Sequence, residues 1–153
     1  MKQKPSLKSV VVLNLVNNIP MAIVMSVTAP LVMGIPMVFS NIMENIVIAF
    51  LLACIVNLAV PIPLIAEKFS KLFKQPPESF AGRLLGNIPV CLIFVVIIGL
   101  ILNAYNVRQF PGFIFAFFGT FIPMYLVCFV ISMFTNPFAM KLAFGNPAAE
   151  KTV

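Results

Sequence analysis

Residues Leu84–Val107 read LLGNIPVCLIFVVIIGLILNAYNV, twenty-four positions without a charged side chain. A bilayer hydrocarbon core about 30 Å thick is crossed by roughly 20 apolar residues in a helix. Lipid offers the backbone no hydrogen-bond partners, so such a run must satisfy its own N–H and C=O groups, which a helix does. Three more runs share this character: Ser9–Met43, Asn45–Ala66 and Gln109–Met140. Four transmembrane helices are expected, with approximate cores Val10–Val32, Ile46–Ile65, Leu84–Leu102 and Phe113–Phe134.

Composition agrees. The chain has 153 residues, of which 61% are hydrophobic and 9% charged. A soluble domain is about half apolar and about a quarter charged. The expected fold class is all-α: an integral membrane four-helix bundle, read as a single membrane domain over residues 1–153. The N-terminal run, though preceded by lysines, is longer than a signal peptide's apolar region. It also carries Asn14, Asn17 and Asn18 early and has no Ala-x-Ala site, so it is read as a retained span.

The basic residues suggest an orientation. Lys2, Lys4 and Lys8 precede the first span, Lys68, Lys71, Lys74 and Arg83 lie between the second and third, and Lys141 and Lys151 follow the fourth. Only Arg108 lies on the other side. Positive charge in short loops marks the cytoplasmic face, so both termini are expected there. Loops Gly34–Met43 and Asn103–Gly112 are then expected outside. The net charge of +6 is accounted for by anionic headgroups, with no need of nucleic acid.

The text also repeats. Asn18-Ile19-Pro20 recurs as Asn87-Ile88-Pro89, Cys54 matches Cys128, and Pro63 matches Pro137. This suggests two tandem transmembrane hairpins, residues 9–75 and 79–144, arranged as parallel repeats about an axis along the membrane normal. The hairpin pattern, as the first half carries it, is an apolar helix with a small-residue stretch (Pro20–Pro30), a short loop with Asn41, and a second helix carrying Ile48-Ala49-Phe50 and Val60-Pro61-Ile62-Pro63-Leu64 before Lys68-Phe69. In this the chain resembles a family of small bacterial membrane proteins grouped as a domain of unknown function. The resemblance covers residues 10–145 and implies a bacterial inner (plasma) membrane location. It implies no activity, cofactor or catalytic residue. The second half departs from it, with Thr135-Asn136-Pro137 where the first has Pro61-Ile62-Pro63.

Little chemistry is available to such a chain. It has no His and four acidic residues, which removes the usual general base, most metal sites and most paired-carboxylate mechanisms. Cys54, Cys91 and Cys128 all fall inside spans without a Cys-x-x-Cys pair, and read as small buried apolar residues. No enzyme activity, catalytic residue, metal site or cofactor is expected.

The amides are the candidates for function. Asn14, Asn17 and Asn18 share one face of the first helix, Asn87 is the repeat counterpart of Asn18, Asn57 lies in the second span, and Asn136 lies near the end of the fourth. If these faces converge they make a polar cluster able to hold an ion or a small polar solute, or serve only as interhelical hydrogen bonds. Glu44 is read as an N3 helix cap below Asn41, or as a charge at the outer mouth of a pore. Lys68, Lys71 and Lys74 recur every three residues on a segment with Phe69, Leu72 and Phe73, and are read as headgroup-binding lysines on an interfacial helix end. Phe113, Phe117 and Phe121 are read as one face of the fourth helix, turned to lipid or a partner, with Phe115 and Phe118 elsewhere. Gly99 and Gly119 stand alone, and no close-packing glycine pair is expected. Pro20, Pro30, Pro61, Pro63, Pro89 and Pro123 are expected to kink their helices, and Pro111 suits a first turn.

Two function classes follow. The first is an oligomeric transport or permeation unit for a small solute or ion, with a path at a dimer axis. The second is a non-catalytic accessory or immunity-like protein that binds another membrane protein. The expected partners are the lipid bilayer and either a second copy or a different membrane protein.

Overall fold

The structure, a computed structural model, describes residues 7–144 except Glu78, with the side chains of 7–10, 140, 143 and 144 set aside. Lys2, Lys4 and Lys151 lie outside the described residues. Helix α1 spans Leu7–Met33, α2 Phe39–Ala59, α3 Ile62–Leu72 and α4 Phe80–Phe94. A single π-helical turn, Val95–Gly99, joins α4 to α5 (Leu100–Val107), and α6 spans Gly112–Phe144. Four stretches are long and apolar enough to cross a membrane: Val11–Met33, Phe39–Ala59, Phe80–Val107 and Gly112–Ala139. The chain is a small multi-pass membrane protein with its spans packed as a bundle.

Helix α6 packs along α1 and also along α4, the π-helical turn and α5, while α1 packs on α2 and α4 packs on α3. One end of the bundle carries the start of α1, the α2–α3–α4 connection and the close of α6; we call it the terminal end. The other, the loop end, carries residues 34–38 and 108–111. The midsection core is apolar: Met21, Met25, Val95, Ile98 and Met124 are each no more than 2% exposed. Ala22, Ala49 and Ala53 are also buried and let α1 and α2 approach closely. The opposite faces are large and apolar, with Ile23, Leu51, Ile55, Ile122, Leu126 and Val130 all exposed, as suits side chains meeting lipid.

The second expected span is corrected. Ile46–Ile65 is not one helix: α2 ends at Ala59, Val60 is extended (φ −110°, ψ 127°), and α3 begins at Ile62. Proline disfavours the helical conformation in the residue before it and has no N–H to continue the ladder, so Pro61 ends α2 and Pro63 is tolerated in the first turn of α3. The other intraspan prolines do not break their helices: Pro20 and Pro30 lie within α1, Pro89 within α4, Pro123 and Pro137 within α6. The two halves therefore differ at the aligned Pro63 and Pro137. Pro111 lies one residue before α6, in the turn.

The cap at Asn41 is also corrected. Helix α2 starts at Phe39 behind Val38, which has no capping side chain, so Asn41 and Glu44 lie inside the helix. The first loop is shorter than expected for this reason.

The expectation of no close-packing glycine pair fails between α3 and α4. Gly82 and Gly86 form a Gly-x-x-x-Gly pair, both buried. A Cβ on Gly82 would collide with the Pro76 carbonyl, and one on Gly86 would come within 3.0 Å of Ala66 O and Ser70 Oγ. Buried Ser70 clips the two helices together, its hydroxyl lying 2.8 Å from Ala66 O and 2.6 Å from Gly82 O. Replacing Gly82 by Ala should therefore destabilise the α3–α4 hairpin by about 1–3 kcal/mol, the usual range for overpacking. Unfolding in mixed detergent micelles measures this, and a variant as stable as the parent would refute the close contact.

Candidate functional site

At the terminal end, hydrogen bonds join all six predicted amides. Asn57 Nδ2 donates to Asn18 Oδ1 at 2.9 Å, and Asn18 Nδ2 reaches Asn14 Oδ1 at 3.4 Å and Cys54 Sγ at 3.6 Å. One residue earlier on α1, Asn17 donates to Asn136 Oδ1 and accepts from Thr135 Oγ1 at 2.8 Å. Asn136 then donates to Asn87 Oδ1 at 3.1 Å, and Asn87 donates to the Ser132 hydroxyl. Ser132 Oγ lies 3.2 Å from Cys91 Sγ. The result is two branches: α1 to α2 through Asn18, and α1 to α6 to α4 through Asn17. Adjacent residues on a helix point about 100° apart, so one helix reaches two neighbours.

Burial differs along the network. Asn18 is 1% exposed and Asn87 4%, while Asn14, Asn17, Asn57 and Asn136 are half-buried. An amide in an apolar interior without partners costs several kcal/mol. Mutual bonding removes that cost while leaving groups that can exchange partners without moving charge. The network can hold the four spans in register, and can also offer carbonyl oxygens and N–H groups to a polar solute.

A second polar group occupies the loop end and was not expected from sequence as a cluster. Buried Asn45 and exposed Asn106 exchange bonds at 3.2 and 3.3 Å, and Asn106 Nδ2 also donates to Leu102 O at 2.8 Å. Asn103, 1% exposed, donates to Gly99 O at 2.8 Å and Thr120 Oγ1 at 3.2 Å. Asn45, Asn103 and Asn106 line a cleft of about 100 Å³ whose apolar walls include Pro30, Met33, Val38 and Ile42. A shallower neighbouring cleft is lined by Asn41, Glu44, Tyr105, Asn106 and Arg108. Glu44 accepts from Tyr105 Oη at 2.8 Å, which ties α2 to α5 at this rim. The signal for this cluster was present in Asn103 and Asn106, spaced i, i+3 near the end of the third span.

The remaining candidates separate by face. Lys68, Lys71 and Lys74 are all exposed beside Leu72 and Phe73, which are 74% and 52% exposed, and Lys71 pairs with Glu67 at 2.6 Å. That mix of exposed lysine and apolar side chains suits the boundary between headgroups and acyl chains. The phenylalanine face is corrected: Phe117 is buried and Phe121 half-buried in a ring series with Tyr125 and Phe129. The outward set is Phe115, Phe118, Phe134 and Phe138. Phe117 turns inward because Gly99 opposite it has no side chain; a Cβ there would meet its ring at 3.3 Å. Among the described residues no group of His, Cys, Asp or Glu is arranged to hold a metal ion.

No family model, no curated protein and no solved structure matches the chain, so the resemblance to a hairpin-repeat family is not carried further.

The bond between Asn18 and Asn57 is open to a double-mutant cycle with Asn18→Ala and Asn57→Ala. Interhelical amide bonds in membrane proteins couple by about 0.6–1.7 kcal/mol, and the cycle should give a value in that range. Additivity within about 0.3 kcal/mol would show the two side chains to be energetically independent.

Proposed function

We propose that the chain is a non-catalytic permeation unit that passes a small polar solute or ion. The terminal-end amide network would be its inner station and the loop-end cleft its outer one. The observation that carries this reading is the placement of two amide clusters at opposite ends of one bundle with an apolar plug between them. A helical bundle held only by packing has little use for that many amides at membrane depth, where polar groups are costly. The plug is built of adaptable parts: Met21, Met25 and Met124 are unbranched and can repack around a moving solute. Two irregularities lie beside the stations. The break at Val60–Pro61 follows Asn57, and the π-helical turn at Val95–Gly99 ends on the carbonyl that holds Asn103. Such turns recur at functional sites.

The burial of Asn18 and Asn87 favours a path inside the protomer over one on an axis between copies. The reading therefore needs no second copy to line the path, although a homodimer remains compatible with the apolar outer faces. We further infer that the terminal end is cytoplasmic, on the basic residues at that end. The two hairpins would be parallel repeats whose second helices diverged at the prolines. The orientation is directly testable. In intact cells a membrane-impermeant thiol reagent should label Gln109→Cys, and should label Lys68→Cys only after permeabilisation; the opposite pattern would invert the topology.

Flux tests the function. Purified chain in liposomes should speed entry of at least one of potassium, ammonium, urea, glycerol or glycine over protein-free vesicles. Asn87→Ala should cut that flux at least tenfold while the chain stays folded and monodisperse. Absence of flux for the whole panel would sink the transport reading. It would favour the second class, an accessory protein, for which the outward Phe115, Phe118, Phe134 and Phe138 supply an aromatic face. Under that reading, purification from the host in mild detergent yields a stoichiometric second membrane protein.

A further inference from the structure

Asn103, which lines the loop-end cleft, carries one polar atom that the fold does not use. Asn103 is 1% exposed, and its Oδ1 has no hydrogen-bond partner. The amide cannot be turned over to relieve this. Its Nδ2 donates to Gly99 O, which can only accept, and to Thr120 Oγ1, whose own proton goes to Ala116 O at 2.9 Å. Both neighbours call for N–H on that side, so the carbonyl oxygen is committed to the other. A buried amide oxygen left without a donor is destabilising, a cost a site carries when a ligand offsets it.

We propose that this cleft binds a small organic ammonium ion, its N–H groups donating to Asn103 Oδ1 and its alkyl part lying on the apolar wall. Three features select that class. The atom to be satisfied is an acceptor, so the ligand must donate. Two further amide oxygens belong to residues lining the same cleft, Asn45 and Asn106, each already receiving one bond and each with a second lone pair. The carboxylate of Glu44 lies at the rim on the neighbouring cleft and supplies the opposite charge. Arg108, the other charged group on that cleft, is engaged with Tyr105: its guanidinium lies 5.2 Å from the centre of the ring, and its Nε donates to Tyr105 O at 3.1 Å. The apolar wall of Pro30, Met33, Val38 and Ile42 distinguishes an alkylammonium from a bare metal ion, which would gain nothing there and would want more oxygen ligands. Binding at this cleft does not require that the chain conduct, so its test is independent of flux.

The experiment is a titration of the 15N-labelled full chain in micelles with n-butylammonium chloride at pH 7, followed by the side-chain amide signals of Asn45, Asn103 and Asn106. Saturable shifts of these signals are expected, with affinity at least fivefold weaker in Glu44→Gln. Glutamine keeps a carbonyl oxygen to accept from Tyr105 at this exposed rim position, so that variant keeps the fold even if Asn103→Ala does not. Tetramethylammonium, which has charge but no N–H, and butyramide, which donates but is neutral, should each bind at least tenfold more weakly. Shifts that fail to saturate would overturn the proposal, as would equal shifts with tetramethylammonium or sodium chloride. Equal affinity for butyramide, or no change in Glu44→Gln, would overturn the assignment to a cation.

Discussion

An asparagine side chain at membrane depth must find a hydrogen-bond partner, because lipid provides none and the penalty for going without exceeds what most packing contacts return. This chain places Asn14, Asn17 and Asn18 within two turns of its first helix. Their needs rank the arrangements open to the bundle. Asn18 turns to α2 and meets Asn57, while Asn17 turns to α6 and meets Thr135 and Asn136. Asn136 in turn reaches Asn87 on α4. Since lipid tails are as apolar as leucine, hydrophobic burial cannot choose between these neighbours. The amides can, and they tie α1 to α2 and α6, and through α6 to α4.

The two halves of the chain are unlike at their prolines despite their shared text. Pro61 and Pro63 fall close together where α2 reaches the terminal end, and the helix stops. Pro137 falls at the matching place in α6, but Thr135 and Asn136 just before it are bonded to α1 and α4, and α6 continues to Phe144. After the break, α3 turns its small side chains, Ala66 and Ser70, against Gly82 and Gly86 and leaves its lysines exposed. A helix that closely packed needs glycine on its partner, and α4 supplies it at a spacing of one turn.

At the loop end a different balance holds. Asn45 and Asn106 satisfy each other, Tyr105 and Glu44 do the same, but Asn103 is held by its nitrogen and left with an open oxygen. The π-helical turn contributes, since Gly99 both accepts from Asn103 and gives Phe117 room to enter the core. Ring packing, the irregular turn and the open acceptor are one local arrangement.

Much of this could be read from the text alone. Whether a stretch enters lipid is close to a sum over its residues, so charge-free runs located all four spans, though only to within several residues at their ends. That Asn14, Asn17 and Asn18 share one face of the first span also followed from helical spacing, while their meeting with Asn57, Asn87 and Asn136 stayed conditional on how the helices face one another. Tertiary structure alone decided what depends on rotation of a helix about its axis and on distance between axes. It turned Phe117 and Phe121 inward in place of lipid, put Asn41 and Glu44 inside α2, made use of Gly82 and Gly86, and gathered Asn45, Asn103 and Asn106 around a cleft. A helix apolar on every side carries no stripe from which to read its facing. Only the packed neighbours, and the few polar groups among them, set it.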